Sequence, residues 1–208
     1  MSRTRDVDEE KLAKRMARAE KKALKCSGVD EGLIQRFWEL VTIFPRISDP
    51  ELEARIERFT LQATPDQYFS MQLAIFSEGS LSMVEDFRVR RALQDLKGQK
   101  IGLAVEGVYE STVTLDDLRF RIERGIVEGI PVISVASRQD YADAILRRKD
   151  PVKLILGRRI RASHKLKLLR MALPHLDLLR ERGLFEKSLS YQPELEDLLD
   201  RTMTEMGY

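Results

Sequence analysis

Apolar side chains in the first half of the chain recur at intervals of three and four residues, the period of a helix that buries one face. Helix start signals agree with this period, because Ser48 and Thr64 each precede a glutamate or glutamine by three residues, the spacing of a capping box. Gly98 is a typical residue after a helix end. The pattern therefore predicts five short helices, beginning near residues 3, 30, 48, 64 and 82. The first, over residues 3–25, has a thin apolar stripe, so a disordered arm is the alternative there.

After residue 98 the period changes to strict alternation. The runs 101–105, 111–115 and 118–123 alternate apolar with polar or small side chains, and an Asp-Asp pair between the last two runs is a turn signal. Three alternating strands with tight links predict an antiparallel meander with one solvent-exposed face. A fourth strand, more continuously apolar, is predicted at 130–135.

The remainder of the chain is predicted to be helical with one short strand inside it. The segment from His164 to about Arg180 is apolar over more than one helical face, and such a helix is buried on several sides or lines a cavity. Pro174 within it is expected to kink it. The other predicted elements are helices at 138–149, 151–156 and 193–206 and a strand at 159–162.

Composition and charge narrow the class of protein. The chain has 208 residues, 43 % of them hydrophobic, which is enough to bury a core without disulfides or metal ions. Its formal net charge of +2 is too small for a general nucleic-acid binder. Cys26 is the single cysteine, so no intramolecular disulfide forms. No secretory signal and no apolar run of about 18 residues is present, and the cytoplasm is the expected location.

Motifs for catalysis or metal binding are absent from the sequence. No glycine-rich phosphate loop occurs, and His164 and His175 are eleven residues apart, which is no metal-ligand spacing. Asp116 and Asp117 fit a hairpin turn better than paired catalytic carboxylates. No nucleophile with a base and an orienting group can be recognised. We therefore expect a protein that is not an enzyme and has no metal or cofactor.

A basic stretch begins at the end of the predicted 138–149 helix and continues to residue 170, and Asp150 is the single acidic residue within it. One interpretation is a solvated basic face, and another is a platform for an anionic head group or an acidic membrane surface. Nucleic acid is disfavoured because no aromatic side chain interleaves the charges for base stacking. The cations are Arg147, Arg148, Lys149, Lys153, Arg158, Arg159, Arg161, Lys165, Lys167 and Arg170.

Residues 132–175 combine an Asp150-Pro151 turn, an apolar run at 154–156 and the stretch Gly157-Arg158-Arg159-Ile160. These features resemble the turn, the apolar segment and the Gly-Lys-Leu strand of the sterol carrier protein type-two family of lipid-binding domains. The resemblance extends from about residue 82 to about residue 180. It implies a five-stranded sheet with helices on one face, enclosing an apolar tunnel. Members bind sterols, fatty acids, acyl-CoA or isoprenoid lipids without changing them chemically.

The predicted fold class is therefore α+β, an antiparallel-rich five-stranded sheet covered by helices, with an all-helical N-terminal extension. We predict a helical region at 1–80 and a sterol-carrier-like lipid-binding domain at 81–208. The predicted function is non-catalytic binding or transfer of a lipid-like ligand, with Arg158 and Lys165 meeting an anionic head group. The candidate lining residues are Phe120, Ile122, Val135, Tyr141, Ile155, Leu156, Leu169 and Leu173.

Two alternatives remain open from the sequence. The same fold can serve as a protein-interaction scaffold or accessory subunit without a lipid, and then the N-terminal arm and the 193–206 helix are candidates for docking or homo-oligomer surfaces. An enzyme that uses a CoA thioester has less support, because no catalytic set is visible. The expected partners are a lipid-like small molecule and, transiently, an anionic membrane surface, with no nucleic acid.

Overall fold

A computed structural model describes residues 47–79, 86–116, 118–175 and 189–208, together with positions 178, 183 and 186. The helices predicted to begin near residues 3 and 30 lie outside the described residues. So do the side chains of Leu169 and Leu173, although the backbone at both positions is described.

The first described helices are amphipathic and carry the expected caps, with one change. Helix α1 (Pro50–Gln62) is capped by Asp49, whose side chain accepts from the Glu51 N–H, while Ser48 instead donates to Glu196 of a distant helix. Helix α2 (Pro65–Ala74) has the predicted capping box at Thr64. A π-helical turn (Ile75–Gly79) continues it, and helix α3 (Phe87–Asp95) follows. The predicted cap at Ser48 is thus wrong by one residue.

Five strands form one sheet, and its class agrees with the predicted α+β fold. The order across the sheet is β3-β2-β1-β4-β5, with β1 and β4 parallel and every other neighbouring pair antiparallel. The predicted meander of the first three strands is confirmed. The strands are β1 (Lys100–Val105), β2 (Tyr109–Asp116), β3 (Arg119–Arg124), β4 (Val132–Val135) and β5 (Ile160–Ala162).

The link between β3 and β4 crosses one face of the sheet, because β4 pairs with β1 on the far side of β2. Its backbone is held there by Thr112, whose hydroxyl donates to the Gly125 carbonyl (2.8 Å) and accepts from the Val127 N–H (3.1 Å). Residues 111–115 are consequently buried on both sides of β2. The predicted solvent-exposed face is wrong for β2, since the crossing link covers it. We call this the outer face, and the opposite one, which carries Val113, the inner face.

Helices cover the inner face from two sides. Helix α2 and the π-helical turn pack against β2 and β3, and helix α4 (Arg138–Ile145) packs against β4. Helix α7 (Gln192–Glu205) packs on α1 and α2, and its Met203 is fully buried in a core shared with Ile56, Tyr68 and Ile145. Side chains from both predicted regions, 1–80 and 81–208, therefore meet in one core.

Two short helices flank the edge strand β5. Helix α5 (Pro151–Leu156) starts at the predicted proline and is attached to the sheet by Leu154, which packs with Val135 and Ile160. Helix α6 (Lys165–Ala172) ends in a single 3₁₀ turn (Leu173–His175), because Pro174 cannot continue an α-helix. None of the helices in the described part of the chain combines the length and apolar character needed to cross a bilayer.

Candidate functional site

The inner face of the sheet carries an ordered grid of side chains. Directly paired residues of neighbouring strands project to the same face, so the register places Ser111 of β2, Leu103 of β1 and Ile133 of β4 side by side. The neighbouring row toward the β1–β2 turn contains Tyr109 and Val135. Along β2 the inner face therefore changes from Tyr109 and Ser111 to apolar side chains over about 20 Å.

The middle of this face is incompletely covered. Ile101, Leu103 and Ile133, on the central strands, are only half-buried, whereas Val113 and Ile122 toward the β3 edge are buried. The centre of a helix-covered sheet is usually its most buried part, since both flanking helices shield it. We call Ile101, Leu103 and Ile133 the inner strip. Among the residues that the structure describes, helices α2 and α4 lie on either side of it and leave apolar surface between them.

Ser111 is the polar exception beside the inner strip. The residue is fully buried, yet its hydroxyl oxygen has no hydrogen-bond partner among the described groups. Its side chain is close enough to the Tyr109 phenol to act on the pKa of that group, but the pair lacks the geometry of a regular hydrogen bond. Burial raises the pKa of Tyr109, and the nearby Ser111 hydroxyl offsets part of that rise. A second buried and unpartnered hydroxyl, that of Thr114, occupies the opposite, outer face of the same strand.

An aromatic cluster closes the end of the inner face next to Ser111. The Tyr68 ring stacks on Tyr109 with centroids 5.7 Å apart and lies 6.1 Å from Tyr141, while the Tyr109 hydroxyl donates to the Gln72 side chain. Burial raises the pKa of Tyr68 and raises the pKa of Tyr141 to about 12. These phenols are therefore uncharged at neutral pH, and the Arg138 guanidinium beside them lies 5.7 Å from the centre of the Tyr68 ring.

Four of the sequence-predicted lining residues lie on or against the inner face. Ile122 and Val135 are buried there, and Phe120 is half-buried with its ring 5.1 Å from that of Phe76 in the π-helical turn. Tyr141 of α4 packs against two buried clusters, the one that contains Met203 and Ile145 and the one formed by Val135, Ala144, Leu154 and Ile160. The structure thus brings these four predicted residues together around the inner face.

The remaining predicted residues lie elsewhere. Ile155 and Leu156 are exposed on α5, at 45 % and 62 %, and Arg158 and Lys165 are exposed before and after β5. Leu169 and Leu173 belong to α6 and the turn after it, where their side chains are outside the described residues. The predicted residues whose side chains are described are therefore divided between the inner face and the surface around β5.

Sequence reasoning missed the residues that distinguish this face. Ser111 has a readable signal, because it occupies the apolar phase of an alternating strand, in register with Val113 and Leu115. The half-burial of Ile101 and Leu103 has no such signal, since it depends on where the covering helices lie.

Comparison with known proteins gives little similarity. No family model matches the chain, and no curated protein matches it. One solved structure, described as "UbiJ-SCP2 Ubiquinone synthesis protein", matches 48 % of this chain and 82 % of that chain at 10 % sequence identity, with a TM-score of 0.32. A superposition this weak supports no inference about a ligand, so the chain is similar to that protein at most in outline.

Proposed function

We propose that the chain binds one amphiphilic, lipid-like molecule on the inner face of its sheet and does not change it chemically. The apolar part of the ligand lies along the inner strip, and its polar group meets Ser111. The single observation that carries the proposal is the fully buried Ser111 hydroxyl without a partner, next to incompletely covered apolar side chains.

The energetics of that hydroxyl support a ligand. A buried donor left unsatisfied costs about 1–3 kcal/mol, and native proteins keep few of them. A ligand oxygen that pairs with Ser111 removes this cost, while its chain covers Leu103 and Ile133. An apolar surface with one or two placed polar groups is the usual composition of a small-molecule site.

A ligand can reach Ser111 only if an element that packs over the inner face moves, because Ser111 is fully buried in the described conformation. The segment best suited to move is the π-helical turn Ile75–Gly79, whose Phe76 contacts Phe120 at the β3 edge. Turns of this type are rare and are frequent at functional sites. A displacement of Phe76 from Phe120 opens the apolar end of the inner face.

Binding without catalysis fits the protonation of the nearby groups. Tyr109 and Tyr141 have raised pKa values, so at neutral pH they exchange hydrogen bonds with a ligand oxygen and are poor bases. The ligand class that suits this end of the face has a neutral hydroxyl or carbonyl, or a protonated carboxyl group.

The test compares two hydroxyl deletions on one strand. Native mass spectrometry and organic extraction identify any co-purified lipid, and titration with a fluorescent long-chain fatty acid measures affinity. Ser111→Ala is expected to weaken the fatty-acid affinity about fivefold to tenfold, the equivalent of one hydrogen bond. Thr114→Val is the matched control, because it removes an equally buried, unpartnered hydroxyl from the outer face.

Two results contradict the proposal. If the wild-type protein carries no extractable lipid and does not bind the fatty acid, the scaffold hypothesis takes its place. If Ser111→Ala and Thr114→Val weaken binding equally, the ligand site is not on the inner face.

A further inference from the structure

The segment 153–170, around the edge strand β5, combines positive charge with aliphatic surface. It contains no acidic residue and no phenylalanine, tyrosine or tryptophan. All seven of its lysine and arginine side chains are exposed, and they come from α5, β5, α6 and the links between them. They are Lys153, Arg158, Arg159, Arg161, Lys165, Lys167 and Arg170.

Large aliphatic side chains are exposed among these cations. Ile155 and Leu156 at the end of α5 are 45 % and 62 % exposed, and Leu166 in the first turn of α6 is 73 % exposed. The exposure of Ile155 and Leu156 does not come from a detached helix, because Leu154 of the same turn is 3 % exposed and packs against Val135 and Ile160 of the sheet. The fold therefore presents Ile155 and Leu156 to the outside from an anchored helix.

Ion pairs neutralise only part of the positive charge. Arg159 lies 3.6 Å from Asp140, and Arg161 lies 3.1 Å from Glu106. Among the residues that the structure describes, no carboxylate pairs with Lys153, Arg158 or Arg170. A surface with several uncompensated cations attracts an anionic partner.

We infer that the surface around β5 docks on an anionic lipid bilayer, with Ile155, Leu156 and Leu166 entering the headgroup region. Basic side chains near such a membrane each strengthen binding roughly fivefold, and exposed aliphatic side chains add affinity when they enter the interface. Nucleic acid fits less well, because the segment has no phenylalanine, tyrosine or tryptophan ring on which a base could stack. This inference does not depend on the inner-face site.

The experiment measures co-flotation of the full chain with vesicles of phosphatidylcholine alone and with vesicles of equal parts phosphatidylcholine and phosphatidylglycerol. The test variant is Lys153→Gln, Arg158→Gln and Arg170→Gln combined. The matched control removes the same charge from exposed arginines elsewhere, as Arg58→Gln, Arg91→Gln and Arg119→Gln combined.

The wild-type protein is expected to bind the anionic vesicles and not the neutral ones, with affinity falling as salt rises. The test triple variant is expected to lose roughly 100-fold in affinity, and the control triple variant to change about twofold or less. Combined Leu156→Ala and Leu166→Ala is expected to lose about tenfold without a change in salt dependence.

Several outcomes overturn the inference. Equal losses in the two triple variants mean that net charge alone, without this surface, drives binding. Equal binding to neutral vesicles removes the role of the cations, and an absence of vesicle binding together with salt-sensitive binding of single-stranded DNA assigns the surface to nucleic acid. Ser111→Ala is expected to leave vesicle binding unchanged, so failure of this inference and failure of the inner-face site are distinguishable.

Discussion

Arg138 joins the helical layer to the sheet region through one side chain. It stands in the first turn of α4, and its guanidinium donates to the carbonyls of Leu61 (2.9 Å) and Ala63 (2.8 Å) at the end of α1. Its charge also lies 5.7 Å from the centre of the Tyr68 ring. The last carbonyls of a helix have no partner within the helix, and a cation is favourable there.

The cost of removing this guanidinium follows from those contacts. A hydrogen bond that involves a charged group contributes about 1.5–3 kcal/mol, and partial exposure of Arg138 places both bonds toward the lower end. We expect Arg138→Met, which keeps the aliphatic stem, to lower the free energy of unfolding by about 2–4 kcal/mol. Arg138→Lys keeps the charge but lacks the planar fork, so it is expected to lose about half as much.

Urea denaturation followed by far-ultraviolet circular dichroism measures this difference. We expect one cooperative transition with a lower midpoint and an unchanged slope, because α1 and α4 share a core. A wild-type midpoint in Arg138→Met would falsify the reasoning. Two separate transitions in the wild-type protein would show instead that the helical region unfolds independently of the sheet.

Two further predictions concern the core. Met203→Ala is expected to cost about 2–5 kcal/mol in urea denaturation, because the side chain is fully buried, while the half-buried Met206→Ala serves as the milder comparison; similar losses for both would contradict the burial argument. Burial raises the pKa of Tyr141 from 10.0 to about 12, so the stabilising effect of its neutral form is complete below pH 10 and is lost between pH 10 and 12. Ultraviolet titration should show a late phenol that Tyr141→Phe removes, and simultaneous ionisation of every phenol near pH 10 would contradict it.

The elements of the fold were predictable where one side of each element is apolar. Strict alternation in β1, β2 and β3 defines both the strands and their tight links, and Thr64 and Pro151 mark helix starts that the structure retains. The outer face of β2 was not predictable in the same way. Thr112 looks like a solvated residue in the sequence, yet its hydroxyl satisfies the backbone of the crossing link, and polarity alone does not distinguish these two environments.

The candidate site was predictable only in part, because lining residues depend on which helices lie over the sheet. Ile122 follows from strand alternation and faces inward, and Val135, in a strand predicted as continuously apolar, is buried on the same face. On α5, however, the six-residue helix anchors itself through Leu154 and turns Ile155 and Leu156 outward. A helix of one and a half turns offers no reliable period, so the sequence does not show which of three consecutive apolar residues is buried.

The position of α7 in the core has a consequence for how the chain folds during synthesis. Arg55 of α1 contacts Asp200 and the Tyr208 carbonyl, partners 145 and 153 residues later in the chain. The apolar face of α1 therefore lacks the cover that α7 provides until residues 145 positions after Arg55 have been synthesised. Contacts of such long separation slow folding. During that interval the apolar side chains of Leu52, Ile56 and Phe59 lack their cover from α7, and such aggregation-prone surface is what chaperones shield.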